Sequence, residues 1–224
     1  MRSPALLLVT LALTAGCASS APPLASTGAG PVAPAATPAV ATAVPAEWRP
    51  TDRWTWEWSA GADKGTKSAE VIERKTIGDA AFYLVRIGEF VHYYTSALDW
   101  AGAAKDGVVQ ARVEPPQPWF QWPLDVGRRW AHDGHFQGPE GSRQQQSRYA
   151  VTAVETIDVP AGRFKTIKIV RETSERDYDE YWYAPDVGWY VRWVGRRGEL
   201  EFEERLTEHH RARRLIPTAA TPAR

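Results

Sequence analysis

The feature that most constrains the fold is an alternation of apolar and polar side chains that recurs along much of the chain. Trp54, Trp56 and Trp58 fall on one face of a predicted strand and polar residues fall between them, because successive side chains of a strand point to opposite sides. Residues 82–87 are apolar on both faces, which predicts a central strand. Only residues 199–211 have a helix-forming composition, and their apolar side chains are spaced as in a strand. The chain therefore predicts an all-β domain.

Short turns separate the predicted strands. Asp106 and Gly107 tolerate positive φ and predict a tight hairpin turn. Pro160 and Gly162 suit the second and fourth positions of another turn, and a third is predicted at residues 184–188. Around these turns, strands are predicted at residues 100–104, 108–113, 143–156, 163–173, 178–183, 188–194 and 199–208. Consecutive strands with short links favour an antiparallel meander.

We expect one β-sheet domain at residues 47–210, since this length supports a single sizeable core. A sheet of so many strands twists and curls, so a half-barrel, a closed barrel and a two-layer sandwich are the open alternatives. We favour a single strongly curved antiparallel meander sheet, half-barrel or barrel-like, flanked by disordered N- and C-terminal tails. The formal net charge is zero, which argues against the basic field of nucleic-acid binders, so no nucleic-acid partner is expected.

The N-terminus has the pattern of an export signal. Arg2 is followed by an apolar run at residues 5–13 that is shorter than the roughly 20 residues of a membrane-spanning helix. Small residues then lead to Cys17, the only cysteine, so an internal disulfide is excluded. Residues 14–17 resemble the lipobox of bacterial lipoproteins, although Thr14 stands where that family usually has Leu. The resemblance implies a signal peptide at residues 1–16 and lipidation of Cys17; an ordinary secretory signal and a buried apolar start are the alternatives.

The segments around the domain have the composition of disordered chain. Residues 17–46 are predicted to form the lipidated cysteine and an Ala/Pro-rich tether, since residues 18–46 carry no charge and too little apolar bulk for a core. Residues 211–224 form a predicted disordered basic tail, which contacts anionic headgroups or is simply solvated. Ala18 stands where related lipoproteins carry Asp for inner-membrane retention. The resemblance therefore implies an outer-membrane lipoprotein that faces the periplasm.

Three segments also resemble a bacterial domain family. They are PLDVGRRW at residues 123–130, VPAGRF at 159–164 and YWYAPDVG at 181–188. Their order and spacing are similar to the family known as domain of unknown function 3108 and its relatives, over residues 119–206. The resemblance implies an exported or lipid-anchored protein, and it supplies no catalytic residues.

Aromatic residues provide the candidate ligand site. Most of the eleven tryptophans must lie in the core, because each buries roughly 150–250 Å². Trp119, Phe120 and Trp122 lie between prolines, where regular strand pairing is difficult, and are candidates for an exposed platform that binds sugars or acyl chains. The alternative is a core plug at the open end of the sheet.

Motifs for chemistry are weak. His132 and His135 point to opposite faces of a strand, so we expect no metal site and no cofactor. The acids at residues 172–180 suit a solvated loop better than a paired-carboxylate site, and nucleophile and phosphate motifs are missing. We therefore expect a non-enzymatic envelope lipoprotein that binds a hydrophobic or glycan ligand or docks a partner. The alternatives are a structural partner of another envelope protein and an envelope-polymer hydrolase that uses Asp or Glu.

Overall fold

The computed structural model describes residues 43–173 and 177–212. Twelve antiparallel strands each pair with the next along the chain, and the last pairs with the first, which closes the sheet into a barrel. The strands are β1 (Arg53–Ala60), β2 (Asp63–Ile77), β3 (Ala80–Ile87), β4 (Phe90–Thr95), β5 (Trp100–Lys105), β6 (Val108–Gln117), β7 (Arg129–Gly138), β8 (Gly141–Val159), β9 (Gly162–Glu172), β10 (Asp177–Ala184), β11 (Trp189–Arg197) and β12 (Leu200–His210). The described residues contain no helix long and apolar enough to cross a bilayer.

The predicted all-β meander is confirmed, and of the three architectures left open it is the closed barrel. Asp106 and Gly107 turn the β5–β6 hairpin with φ of 51° and 78°, which is the positive φ expected there. The barrel closes by pairing β1 with β12, with Trp58 opposite Glu204 and Ala60 opposite Phe202. Because the chain runs up and down, six of the eleven connections between strands lie at one end of the barrel and five lie at the other.

The two ends of the barrel differ. The chain enters and leaves at the same end, which we call the plugged end, and Trp48 fills it with its ring against Trp54, Tyr83, Tyr94 and Trp189. The segment before β1 and the segment after β12 also form hydrogen bonds with each other at this end. The opposite end, which we call the rim end, carries the turns between β1 and β2, β7 and β8, and β11 and β12.

Contacts at the plugged end extend beyond the predicted domain limits. Ala43, within the predicted tether, is buried, and Trp48 Nε1 donates a 2.9 Å hydrogen bond to the carbonyl of Gly188. Arg211 lies 3.1 Å from the fully buried Asp52 carboxylate, whose other oxygen accepts the Ala212 N–H at 2.6 Å. These contacts tie both ends of the described chain to the barrel.

The outer wall is polar even where it carries an aromatic ring. Trp182 faces outward but is 5% exposed, because Lys168 Nζ and Arg192 Cζ each lie 4.7 Å from its ring on the two neighbouring strands. Lys168 pairs with Glu180 at 3.0 Å and Arg192 with Glu203 at 2.7 Å. Charged side chains thus cover an apolar surface that would otherwise face solvent.

Candidate functional site

All three predicted platform residues pack against the core, Phe120 and Trp122 at the plugged end and Trp119 deeper inside the barrel. Phe120 is 3% exposed, with its ring centroid 5.0 Å from that of Tyr183 and 5.5 Å from that of Trp122. Trp122 is half-buried and donates its Nε1 hydrogen to the carbonyl of Ala97 at 2.9 Å. Trp119 packs separately, 5.1 Å from Tyr181 inside the barrel. The structure therefore brings Phe120 and Trp122 together, in contacts typical of a core plug.

Other candidate residues are dispersed or lie outside the described chain. Cys17, the signal peptide and the basic residues Arg213 and Arg214 belong to the part that is not described. His132 is buried with Nε2 3.0 Å from the carbonyl of Pro115, whereas His135 is exposed, as expected for opposite faces of β7. Within residues 43–173 and 177–212, no group of three His, Cys, Asp or Glu side chains could hold a metal ion.

A charged cluster lies inside the barrel towards the rim end. Asp179, on β10, is fully buried and accepts hydrogen bonds from Arg171 Nε at 2.6 Å and from Arg197 Nη2 at 2.8 Å. Trp193 Nε1 donates a third, at 2.9 Å. The expectation of a solvated acidic loop is therefore wrong for Asp179, because this side chain points inward in phase with Tyr181.

Two donors next to this cluster have no partner among the described protein atoms. They are the hydroxyl of Tyr181 and Nε1 of Trp119, both buried. Burial raises the pKa of Tyr181 well above its usual value, so its hydroxyl keeps the proton. An unsatisfied buried donor costs about 1–3 kcal/mol. The interior below Asp179 therefore retains unused hydrogen-bonding capacity.

A second buried pair lies among the aromatic rings. Lys67 Nζ is 2.6 Å from Glu204 Oε1, and the Tyr190 hydroxyl donates to Glu204 Oε2 at 2.7 Å. The ammonium also lies 5.4 Å from the ring centroids of Trp56 and Trp193. Burial lowers the pKa of Lys67, and the neighbouring carboxylate opposes that effect. The charges of Lys67 and Glu204 neutralise each other, and Tyr190 also bonds to the carboxylate, so the pair suits a structural role.

An open cleft of about 460 Å³ lies at the rim end, above the Asp179 cluster. We call it the rim cleft, and it is lined by Arg143, Gln144, Gln145, Gln146, Arg171, Thr173, Asp177 and Arg197. Arg143 lies over the ring of Phe136, with Cζ 4.3 Å from the ring centroid. Asp177 accepts the N–H of Gly198 at 3.0 Å. The cleft offers guanidinium, amide and hydroxyl groups to a polar ligand.

The sequence interpretation missed four charged residues that face inward, of which Arg171 and Glu204 are buried; the other two are Lys67 and Arg197. The signal that could have found them is their strand phase. Arg171 continues the inward series of Ile167 and Ile169, and the other three likewise share a face with core residues of their strands. An ionisable residue in phase with core residues predicts a buried pair.

The comparisons with known proteins are loose. No family model matches the chain, so the resemblance to the domain of unknown function 3108 family stays an expectation. A search of curated protein sequences found no match. Two structurally similar chains are a provisionally named exported protein with a YmcC-like fold from Bacteroides fragilis NCTC 9343 and a provisionally named lipoprotein from Parabacteroides distasonis ATCC 8503.

These two chains are 13% and 14% identical to this one, with TM-scores of 0.46 and 0.42. The matches cover 77% and 76% of this chain and 100% of each of those chains. The hypothetical lipoprotein YmcC from Escherichia coli K12 has 11% identity and a TM-score of 0.36, over 70% of this chain and 84% of its own. At these values the function has to be argued from the chain's own residues.

Proposed function

We propose that this chain is a lipid-anchored protein of the bacterial envelope, held at the outer membrane and facing the periplasm. The lipobox-like residues 14–17 and the uncharged segment that follows them support the anchor. Acyl chains contribute roughly 0.8 kcal/mol per buried methylene, so two or more chains anchor a protein durably. The barrel then works within reach of a membrane surface.

The barrel acts as a non-enzymatic binding module for a glycan, and the rim cleft is its binding site. The observation that carries this proposal is the contrast between the two ends of the barrel. Aromatic side chains fill the plugged end, whereas the rim cleft is open and lined by hydrogen-bonding groups. Its volume falls within the roughly 300–1,000 Å³ of small-ligand sites. Of the two ligand classes expected from the sequence, the glycan fits these groups better than an apolar chain.

Lipidation is tested with the full-length chain and its Cys17→Ser variant in a Gram-negative host that is fed tritiated palmitate. The unchanged chain should incorporate label and fractionate with the outer membrane. The variant should incorporate none. Equal labelling of the two chains, or recovery of the unchanged chain in the soluble periplasm, would contradict the anchor.

Glycan binding is tested by purifying the full-length protein from envelopes and identifying copurified molecules by mass spectrometry. We expect a saccharide that is retained by the unchanged protein and reduced in an Arg143→Gln variant. Copurification of a fatty acid or phospholipid alone would contradict a glycan-binding role, and so would recovery of the protein with no bound molecule.

A further inference from the structure

We infer that the rim cleft recognises sugar units that carry a carboxylate. This inference rests on the proposed glycan-binding function and specifies the chemistry of its ligand. The side chains that line the cleft, counted together with the carboxylate beneath it, carry more positive than negative charge. Arg143, Arg171 and Arg197 face two carboxylates, those of Asp177 and the buried Asp179. Within the described residues the cleft thus holds one more guanidinium than carboxylates.

Arg143 is the cation that provides this excess. Arg171 and Arg197 are both engaged by Asp179, whereas no carboxylate of residues 43–173 or 177–212 lies within ion-pair distance of Arg143. Arg143 belongs to the inward series of β8 that includes Ser147 and Tyr149, which places its side chain over the opening of the barrel. A polar ligand in the cleft therefore meets this guanidinium.

The guanidinium of Arg143 is also held in a defined orientation. It lies over Phe136, its partner across the β7–β8 ladder, and Phe136 stacks in turn on Trp100 with ring centroids 6.4 Å apart. Stacking on the ring fixes the plane of the guanidinium group and leaves its N–H groups free to donate within that plane. A planar guanidinium in a fixed orientation matches the two oxygens of a carboxylate and forms a bidentate pair with it.

The remaining lining groups suit the hydroxyls of a sugar ring. Gln145 is half-buried and points inward opposite Gly134, and the Thr173 hydroxyl lies 3.4 Å from that of Ser147. An amide and a hydroxyl both donate and accept hydrogen bonds, as sugar hydroxyls require. The cleft thus combines one cation for a carboxylate with neutral groups for the rest of the ring.

The test compares trigalacturonate with the neutral galactotriose of the same linkage, by calorimetry on detergent-solubilised full-length protein. Trigalacturonate should bind about tenfold more tightly, which corresponds to about 1.4 kcal/mol for one charge-assisted pair. Arg143→Gln should remove that preference, so that the variant binds the two sugars with equal affinity. Arg148→Gln is the matched control, since Arg148 lies on the same strand but faces outward with its side chain 81% exposed. It should bind both sugars as the unchanged protein does.

The outcomes separate the inference from the proposed function. Equal affinity for the two sugars, or a preference for the acidic sugar that survives in Arg143→Gln, would overturn the carboxylate site but leave glycan binding in place. Failure of both sugars and of the copurified saccharide to bind would overturn both. Thermal unfolding of each variant checks that the barrel is intact.

Discussion

The indole of Trp48 lies against that of Trp189, with ring centroids 4.4 Å apart and an interplanar angle of 33°. This contact joins the segment that precedes the first strand to the start of β11. Trp48 is 2% exposed, so the entering chain contributes a full aromatic side chain to the core. The plug is therefore part of the folded domain and makes the plugged end a closed surface.

Replacement of Trp48 by Ala should lower the free energy of unfolding by about 3–5 kcal/mol, because the change removes a buried aromatic ring and leaves a cavity. Urea unfolding followed by tryptophan fluorescence or circular dichroism measures the loss. The control is Val44→Ala in the same segment, since Val44 is 69% exposed and should change stability little. A Trp48→Ala protein as stable as the control would show that the segment does not plug the barrel.

Asp179→Asn should also be strongly destabilising, by about 3–5 kcal/mol, because it leaves Arg171 without its buried counter-charge. The shape of the side chain is retained, so the loss reports on charge. The matched control is Glu180→Gln, the next residue along β10, which faces outward and pairs with the partly exposed Lys168. That change should cost less than about 1 kcal/mol. Similar losses in the two variants would contradict the assignment of Asp179 to the barrel interior.

Strand positions were predictable because alternation and turn chemistry are local signals. The Asp106-Gly107 turn and the inward series through Trp54 and Trp56 both appear in the structure as expected. Closure was left open because it depends on pairing β1 with β12, and no local pattern specifies the register of Trp58 with Glu204. The sequence therefore constrained the curvature but not whether the sheet closes.

The candidate site was less predictable because it depends on residues distant in sequence. Arg143 and Arg197 reach one cleft only because the start of β8 and the end of β11 both lie at the rim end of the barrel. Trp48 lies between the charged residues Glu47 and Arg49, and only the small residues Ala46 and Pro50 lie two positions away, so no alternating pattern predicted it in the core. The position of a residue in the alternation of its strand predicts whether its side chain points inward, whereas identifying the partner of that side chain requires the three-dimensional fold.

Asp99 should make the protein less stable as the pH rises through the weakly acidic range. Burial raises its pKa to about 6 from the usual 3.8, and a hydrogen bond from Thr95 opposes the effect. The folded state therefore binds more protons than the unfolded state between these values, so stability falls as the pH rises from about 4 to about 6. Asp99→Asn should lose this part of the pH dependence, measured by urea unfolding across that range. The exposed Asp158→Asn is the control, and an equal change in both variants would contradict the prediction.

His92 should make the protein less stable as the pH falls, over a similar pH range. Burial, with a smaller contribution from Lys67, lowers its pKa to about 4 from the usual 6.5. The unfolded state therefore binds more protons between these values, and stability falls as the pH drops from about 6.5 to about 4. The neutral ring is required because His92 Nδ1 accepts a 3.1 Å hydrogen bond from Trp100 Nε1.

His92→Asn tests this role, because the amide oxygen of Asn can accept the same hydrogen bond but does not titrate. The variant should lose the part of the acid destabilisation that His92 provides, while stability near neutral pH changes much less. His135→Asn is the control, since His135 is exposed on the outer face of β7. NMR titration of the His92 ring protons gives an independent readout. A midpoint near the usual 6.5 would show that the ring is solvated, and would remove His92 as a source of acid sensitivity.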